Sequence, residues 1–474
     1  MSEIAELTLA GAETAPVTAA GLAGWLAEAR ALLRLALPLI VTQVAQMAIM
    51  TTDIVMLGRL SKTALAAAAL GNTVFFFTWL IGCGPVSAVA PMIAHALGRN
   101  PSDRGGVRHI ARMGLWSVLI VSVPLIGFLL FTQPLLLLLG QKPVLAAGAG
   151  RFVAVLCIGL PASLGYQALR NFATALGKPT APLVVMALAI GFNALADYTL
   201  IFGHFGFPKL GLVGSGAASA MSYSFTFLAM IVVITATPGL RKYRIFRRFF
   251  RPAWYELAEV FHLGMPIGLT MIFEAMMFNA ATLIMGTFGT ASVAAHQIAM
   301  NVPSLTFMVP LGIGMAATVR VGLAAGGGDS HGVRRAGLSA MAMGALFMSG
   351  TALILWTFPH QIAGLYLADT PANADVVALA ALFLHVAAIF QLFDGQQVVT
   401  ALSLRGLKDA HAPMWIAGAS YWLVGFPTCL WLGFAEHMRG YGIWLGLAAG
   451  LAVAAAAMTG RFWYLSAKRQ APIA

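Results

Sequence analysis

Charged residues are scarce in this sequence. Of its 474 residues only 9% are Asp, Glu, Lys or Arg, whereas an ordinary soluble domain carries about 25%. Hydrophobic residues make up 60%, and the mean hydropathy is +0.86. The apolar runs are too long and alternate too little for barrel strands, which leaves helices as the only way across a bilayer. The sequence therefore predicts an all-α integral membrane protein with about twelve transmembrane helices.

Several chemical signatures are also missing. The sequence contains neither the GxxxxGKS/T motif of a nucleotide-driven pump nor the HExxH and GxSxG motifs of hydrolases. The three cysteines, Cys83, Cys157 and Cys429, lie in apolar runs without metal or redox spacing, so no disulfide framework is expected. The N-terminus, with Glu3 and Glu6 in place of a basic start, lacks the pattern of a cleaved signal peptide. No cofactor is predicted.

Short polar breaks between the apolar runs place the spans. We expect them at 33–57, 65–97, 109–133, 145–169, 181–203, 212–236, 257–286, 291–323, 337–358, 373–403, 412–433 and 442–465. If the N-terminus is cytoplasmic, 22 of the 28 Lys and Arg residues fall on the cytoplasmic side and 6 on the other. The positive-inside rule therefore predicts that both termini are cytoplasmic, in a multi-pass protein of a bacterial inner membrane.

The densest basic run lies at mid-chain. The stretch RKYRIFRRFFRPAWYE (241–256) interleaves basic and aromatic side chains, a pattern that nucleic-acid-binding segments share. In a chain this apolar, it is better explained as a cytoplasmic linker that lies along anionic headgroups with its aromatics at the interface. No nucleic-acid partner is therefore predicted.

The linker divides the chain into two halves that resemble each other. A shift of 228 places residues 37–58 on residues 265–286, and a shift of 230 then pairs Gly84 with Gly314. Six helices in each half is an even number, so both halves enter the membrane from the same side and form parallel repeats. Such halves are typical of transporters that rock one bundle against the other around a central cavity.

The repeats define the predicted domains. These are an N-terminal cytoplasmic segment at 1–32, an N-lobe at 33–240, the basic linker at 241–256, a C-lobe at 257–465 and a cytoplasmic tail at 466–474. A channel would need a pore-lining ring and usually several subunits, which the duplicated single chain does not indicate. We therefore expect a monomer.

Four carboxylates lie well inside apolar spans: Asp53, Asp197, Glu274 and Asp394. An ionised carboxylate near the bilayer centre costs about 2.5–3.5 kcal/mol on insertion scales, and such residues usually face a cavity or a partner. Nearly all Lys and Arg residues map to helix ends, so few cations are expected as deep partners. We therefore predict cation or proton sites rather than structural salt bridges.

Two of these carboxylates have polar neighbours. Asn193 and Asp197 are four residues apart and share one helix face, where oxygens of neighbouring helices would complete a small-ion site. The alternative is that Asn193 only hydrogen-bonds Asp197 across a helix contact. Asp394 lies beside Gly395 and two glutamines, and its alternative role is a polar helix-packing site.

Five segments together resemble MATE (multidrug and toxic compound extrusion) transporters, close to their NorM-like bacterial branch. They are TTDIVMLGRL in the first predicted helix, RNFATALGKPTAPLVV and FNALADYTLIFG around the fourth and fifth, MIFEAMMFNAATLIMG in the seventh and FDGQQVVTALSLRGLKDAHAP in the tenth. The resemblance implies a V-shaped protein of two pseudo-symmetric six-helix bundles. It also implies secondary active export of cationic, amphipathic compounds in exchange for inward-moving Na+ or H+ by alternating access.

The resemblance further implies roles for particular residues. The candidates for cation or proton coupling are Asp53, Asn171, Asn193, Asp197, Glu274 and Asp394. Among them, Asp53, Glu274 and Asp394 are also candidates for binding the cationic substrate. Na+ is expected either at Asp53, Asn193 and Asp197 or at Glu274 and Asp394. Two positions depart from the family: Ser219 stands where a threonine is expected, and Phe390 stands where some members have a tyrosine, which removes one oxygen from the C-lobe site.

Two other functions are alternatives to export. A lipid-linked oligosaccharide flippase of related architecture would favour a cationic cavity for anionic headgroups, whereas the deep charges here are acidic. An intramembrane enzyme would need a catalytic motif. The histidines that invite that interpretation are scattered, as packing or helix-end residues usually are: His95, His296, His385 and His411. The sequence does not distinguish Na+ from H+ coupling.

Overall fold

The computed structural model describes residues 21–206, 208–367, 370 and 373–468. These residues contain twelve helices that are long and apolar enough to cross a membrane. They are α1 (Leu22–Leu60), α2 (Lys62–Arg99), α3 (Arg104–Leu130), α4 (Pro143–Ala175), α5 (Thr180–Phe202), α6 (Leu212–Ala236), α7 (Trp254–Thr287), α8 (Thr290–Gly326), α9 (Ser330–Thr357), α10 (Ala374–Gly406), α11 (His411–Ala435) and α12 (Arg439–Lys468). Helices α1–α6 are called the N-lobe here, and α7–α12 the C-lobe. Residues 1–20 and 469–474, which belong to the predicted terminal segments, lie outside the described residues.

The twelve helices confirm the predicted fold class and the number of spans. Each predicted span coincides with one helix, but most helices are longer than the apolar run that predicted them. Helix α1 begins at Leu22 instead of residue 33, because its first turns are held by a Glu28–Arg320 ion pair and by the buried side chain of Leu32. Hydropathy marks the part of a helix that crosses lipid and not the polar turns beyond it.

Several helices contain irregular turns. Helix α2 is interrupted at Ala88, three residues after Pro85, and α4 tightens into a 3₁₀ turn at Cys157–Gly159. Helix α11 contains two π-helical turns, at Ser420–Gly425 and Trp431–Ala435. Prolines and π turns bend helices, and π turns are frequent at functional sites.

The first helix of each lobe packs against the opposite lobe. In α1, Leu32 and Leu39 are buried in the C-lobe core, and in α7, Val260 and Ile267 are buried in the N-lobe core. Each of these helices also contacts the second helix of the opposite lobe: α1 contacts α8, and α7 contacts α2. The lobes are therefore joined by two helix crossings of the same kind.

Glycines set the closest approach at these crossings. A Cβ on Gly84 of α2 would lie 2.5 Å from the carbonyl oxygen of Gly264 in α7, and a Cβ on Gly312 of α8 would lie 2.9 Å from the backbone nitrogen of Ile40 in α1. Such distances leave no room for a side chain, so close backbone packing requires glycine here. Gly84 and Gly312 therefore have equivalent roles, and they are 228 residues apart. The shift of 230 paired Gly84 with Gly314 instead, so that pairing does not hold at this contact.

The mid-chain linker packs on the N-lobe more closely than the sequence predicted. Arg112 of α3 donates from Nη1 to the carbonyl of Arg248, and Trp116 donates from Nε1 to the carbonyl of Phe249, both at 2.9 Å. Tyr243 is buried in the N-lobe core. The large aromatics that remain exposed at the end of the linker are Phe250, Trp254 and Tyr255. Among the described aromatics of the linker, only these are exposed enough to reach the membrane interface that the sequence predicted for all of them.

An ion pair and a histidine–carboxylate contact connect the lobes on the linker side. Arg320 of α8 donates to both carboxylate oxygens of Glu28 in α1, at 2.7 and 2.5 Å. Glu256 of α7, the counterpart of Glu28 after the 228-residue shift, lies 3.7 Å from Nδ1 of His109 in α3. These pairs lie near the helix ends that share the linker's face, so the two lobes are closed against each other there.

Candidate functional site

A carboxyl pair lies in the N-lobe between α1 and α5. Asp197 of α5 is fully buried, and the half-buried Asp53 of α1 lies within hydrogen-bonding reach of it. The two residues meet because α1 packs along α5. Two ionised carboxylates this close together repel each other, so the pair needs a shared proton or a small cation.

Hydroxyl and amide groups of α5 and α6 surround this pair. Ser219 Oγ lies 3.3 Å from Asp53 Oδ2, and Asn193 Nδ2 lies 3.3 Å from Ser222 Oγ. The Asn193 side chain also reaches Asp53. The amide of Asn193 therefore donates to Ser222, and within the described residues it makes no hydrogen bond to Asp197, although the packing alternative required one.

The cluster has more acceptors than donors. Four buried oxygens accept no hydrogen bond from the described residues: Asp53 Oδ1, Asp197 Oδ1, Asp197 Oδ2 and Asn193 Oδ1. A buried polar atom without a partner costs about 1–3 kcal/mol, and more when it is charged. Carboxylate and carbonyl oxygens are the ligands that hard cations prefer. A proton or a small cation would therefore satisfy this cluster.

The cluster offers only two carboxylates as ligands for Na+. In the described part of the chain, no group of three or more His, Cys, Asp or Glu side chains is placed to hold a metal ion. A Na+ at Asp53 and Asp197 would therefore depend on amide and hydroxyl oxygens, such as those of Asn193 and Ser219, to complete its coordination.

The structure does not bring Asn171 to this cluster. Its Nδ2 donates to the carbonyl of Val86 in α2 at 2.8 Å. Asn171 lies four residues before the end of α4, on the linker side, whereas Asp53 lies near the opposite end of α1. In this geometry Asn171 bridges α2 and α4.

A second carboxyl pair lies in the C-lobe. Asp394 of α10 is buried, and Glu274 of α7 is half-buried. They lie within electrostatic range of each other, but among the described residues no hydrogen bond joins them. Both predicted C-lobe residues therefore face the same region without forming the tight pair seen in the N-lobe.

A cation that the sequence analysis missed also faces Glu274. Arg405 near the end of α10 lies within electrostatic range of Glu274, without a direct ion pair in the described residues. Arg405 follows the predicted span 373–403 and is therefore one of the 22 basic residues expected on the cytoplasmic side. Helical side chains point toward the N-terminus, however, so a long arginine at the end of α10 extends back into the bundle.

Helix α11 contributes a hydroxyl that the sequence analysis also missed. Tyr421 lies in the first π turn, is fully buried and lies within electrostatic range of Glu274 and Asp394. Its hydroxyl has no hydrogen-bond partner among the described residues. Phe390 packs edge-on against Trp444, with ring centroids 5.4 Å apart. Tyr421 thus supplies, from a different helix, an oxygen of the kind that Phe390 removes.

The surroundings of Asp394 contain unpaired donors as well as acceptors. Thr306 of α8 donates to Gln391 Oε1 at 3.0 Å. Asp394 Oδ1, Gln397 Oε1 and Gln391 Nε2 have no partner in the part of the chain that the structure describes. The C-lobe site therefore contains both unpaired donors and unpaired acceptors, whereas the unpaired atoms of the N-lobe site are all acceptors.

The same fold and duplication occur in a known family. The family model described as MatE matches residues 38–199 and again residues 266–431. The chain belongs to the MATE family of transporters. The two matches begin 228 residues apart, which is the shift found between the halves of the sequence. Membership confirms the resemblance and assigns the chain to transporters rather than to intramembrane enzymes.

Individual relatives cover nearly the whole chain. A protein of Brucella suis biovar 1 named "Probable multidrug resistance protein NorM" is 44% identical over 439 residues, which cover 92% of this chain and 93% of the relative. The protein of the same name from Mesorhizobium japonicum is 42% identical over 439 residues, with 92% and 94% covered. The crystal structure of the eukaryotic MATE transporter AtDTX14 has a TM-score of 0.82 at 20% identity and covers 94% of this chain and 99% of that one. That last likeness shows the shared fold.

Proposed function

We propose that this MATE protein is a secondary active multidrug efflux antiporter that exports cationic, amphipathic compounds in exchange for inward Na+ or H+. The observation that carries the proposal is the Asp53–Asp197 pair, in which three of the four carboxylate oxygens accept no hydrogen bond from the described residues. An exchanger needs a buried charge whose occupancy changes between its states. A close carboxyl pair is such a charge, because a bound proton or cation neutralises part of it.

Alternating access requires that ion and substrate favour different states. A ligand shifts a conformational equilibrium only by its differential affinity for the two states. The half-buried carboxylates Asp53 and Glu274 lie on the first helix of each lobe, and these are the helices that cross between the lobes. A change of charge on α1 or α7 therefore acts on the interface that must rearrange during transport.

The proposed orientation puts the linker and both termini in the cytoplasm. The positive-inside count supports it, and so does the basic character of the described linker. With this orientation, the Glu28–Arg320 and Glu256–His109 contacts lie at the cytoplasmic side. The structure then corresponds to a state whose cytoplasmic entrance is closed.

The proposed substrate class follows from the deep charges and from the relatives. The four deep carboxylates outnumber the buried or half-buried arginines Arg112, Arg170 and Arg405, which lie toward the linker-side ends of α3, α4 and α10. The interior therefore favours cations over the anionic headgroups that a flippase would carry. The relatives from Brucella suis and Mesorhizobium japonicum are named as probable multidrug resistance proteins. The charge balance supports cations as cargo, and the names of the relatives support the export of several drugs.

The proposal is tested in proteoliposomes that contain the purified protein and a fluorescent organic cation such as ethidium. A Na+ gradient and a pH gradient are imposed separately, and a third sample receives ATP with both gradients abolished. We expect efflux with at least one gradient and none with ATP alone. The gradient that supports transport identifies the coupling ion. Transport with ATP alone, or no response to either gradient, would contradict antiport.

A further inference from the structure

A basic pocket lies on the linker side of the N-lobe, outside both carboxyl clusters. Its volume is about 530 Å³. Six of its eight lining residues are cationic: Arg104, Arg108, Arg241, Lys242, Arg244 and Arg247. Pro238 and Tyr243 complete the lining, so no acidic side chain contributes to it. Within the described residues, none of the six cations forms an ion pair with a carboxylate.

The pocket is built by tertiary contacts and is not a loose basic run. The hydrogen bonds from Arg112 and Trp116 of α3 to the linker backbone hold the linker against the N-lobe. Buried Tyr243 packs perpendicular to Phe172, with ring centroids 5.9 Å apart. Arg244 adopts a φ of 49°, a left-handed conformation that is unfavourable for residues other than glycine. Tertiary contacts maintain such strain most often at ligand clamps and other functional sites.

The charge of the pocket indicates the chemistry of its ligand. Six like charges around one cavity repel each other, and a bound anion would offset that repulsion. Arginine guanidinium groups form paired hydrogen bonds with phosphate oxygens. Two sets of cations face the cavity, Arg104 and Arg108 one turn apart on α3 and the other four on the linker. A ligand with two phosphates would engage both sets.

The position of the pocket favours a lipid over a soluble phosphate. The exposed aromatics Phe250, Trp254 and Tyr255 follow the pocket residues in the chain, and exposed aromatics next to basic residues are typical of the membrane interface. Basic pockets between transmembrane helices on the cytoplasmic side are suited to lipid headgroups with several negative charges.

We propose that this pocket binds the headgroup of an anionic phospholipid that carries two phosphates, as cardiolipin does. The bound headgroup fixes the linker on α3. Because the linker joins the two lobes, the lipid also stabilises the arrangement in which the N-lobe and the linker form one unit. The site is independent of the ion exchange proposed above.

The test uses the purified full-length chain in detergent and native mass spectrometry. The probes are tetraoleoyl cardiolipin, dioleoyl phosphatidylcholine and inorganic pyrophosphate. The pocket variant is Arg241→Gln/Lys242→Gln/Arg244→Gln. The matched control is Arg30→Gln/Arg34→Gln/Arg99→Gln, which removes three exposed charges from the same side of the molecule. We expect cardiolipin affinity to fall roughly 100-fold in the pocket variant, because each lost charge that contacts the headgroup costs about tenfold or less. In the control we expect it to fall less than about threefold.

A second variant, Arg104→Gln/Arg108→Gln, guards against misfolding of the linker. It changes only α3 and leaves the strained Arg244 unchanged, and we expect a loss of roughly 10-fold or more. Equal losses in the pocket variant and the control would mean general surface attraction and would overturn the proposal. So would phosphatidylcholine binding as tightly as cardiolipin. Pyrophosphate displacing cardiolipin at equal concentration would assign the pocket to soluble phosphates and would also overturn it.

Discussion

The two lobes share one scaffold but differ in the charge balance of their polar interiors. In the N-lobe, Asp53 and Asp197 lie within hydrogen-bonding reach, and their unpaired buried atoms are all acceptors. In the C-lobe, Glu274 and Asp394 are not hydrogen-bonded to each other in the described residues, and Arg405 faces Glu274. Duplication therefore preserved the helix positions while the chemistry of the buried side chains diverged.

The difference assigns different requirements to the two sites. The N-lobe pair needs an external positive charge, because no cationic side chain faces it among the described residues. The C-lobe pair is partly compensated by Arg405, so its need for a bound ion is weaker. We therefore expect the N-lobe to dominate ion coupling, and the C-lobe to contribute mainly to binding the cationic substrate.

The largest effect is expected from Asp197→Asn. This change removes one of the two carboxylates that would hold the proton or cation, and loss of a charged partner of a buried cation costs on the order of 3 kcal/mol, or about 100-fold in ion affinity. Asp53→Asn should cost nearly as much, and the double variant little more than either one, because both residues act on one site. The measurement is gradient-driven efflux from proteoliposomes, normalised to the amount of inserted protein.

A matched control for these variants is Asp375→Asn. It makes the same carboxyl-to-amide change at an exposed position in the first turn of α10 and should transport like the wild type. Normal efflux by Asp197→Asn would identify that residue as a packing element. Fully additive losses in the double variant would show that Asp53 and Asp197 belong to separate sites.

A smaller effect on efflux is expected from Glu274→Gln in the C-lobe. A second substitution, at Arg405, should restore efflux, and the N-lobe pair has no such cationic neighbour among the described residues. Glu274→Gln should reduce efflux roughly 10-fold, partly because it leaves the charge of Arg405 uncompensated. Glu274→Gln/Arg405→Gln should recover to within about threefold of the wild type, since removing both charges avoids a stranded one. Efflux and the amount of inserted protein are measured for both single variants and the double variant.

Asp394→Asn completes this test of the C-lobe. It should weaken efflux on its own, and Glu274→Gln/Asp394→Asn should cost much less than the sum of the single losses if both carboxylates act on one site. A Glu274→Gln protein with unchanged efflux would make that carboxylate a structural residue. If Arg405→Gln adds its full loss to that of Glu274→Gln, the arginine acts independently of the glutamate.

The sequence was sufficient for the helices but not for the full content of the sites. Long apolar runs predicted all twelve spans, and rare buried charges identified Asp53, Asp197, Glu274 and Asp394. Arg405 was missed because a basic residue near a helix end is usually at the membrane surface, and only the packing of α10 shows that it faces Glu274. Tyr421 was missed because a tyrosine in an apolar run resembles any other packing aromatic.

For Asn171 and the linker, the sequence pattern predicted positions that differ from those in the structure. The family pattern grouped Asn171 with Asn193 and Asp197, but α4 carries it toward the linker side, where it bonds to Val86. The alternation of basic and aromatic residues in the linker predicted a surface segment, whereas Tyr243 is buried in the N-lobe. Both cases depend on tertiary packing, which residue type and spacing do not specify.

A still smaller effect is expected from Ser219→Ala in the N-lobe. Its hydroxyl lies 3.3 Å from Asp53 Oδ2, and loss of one such hydrogen bond costs about 1 kcal/mol, or roughly fivefold in ion affinity. Ser219→Thr keeps the hydroxyl and restores the residue that the family pattern expects, so it should transport like the wild type. The measurement is efflux as a function of the coupling-ion concentration. Equal behaviour of the alanine and threonine variants would exclude a role for the hydroxyl.

The smallest effect is expected from Tyr421→Phe in the C-lobe. A buried hydroxyl without a partner in the described residues is unfavourable for folding, so its removal should leave the unfolding temperature unchanged or raise it. If the hydroxyl also serves Glu274 and Asp394 during transport, efflux should fall roughly threefold, because one neutral hydrogen bond contributes about 0.5–1.5 kcal/mol. Tyr421→Phe/Phe390→Tyr returns a hydroxyl from α10 and should recover part of the loss, although Phe390 packs against Trp444. A more stable Tyr421→Phe protein with normal efflux would mean that the hydroxyl serves neither ion nor substrate, and that the C-lobe depends on its charged residues alone.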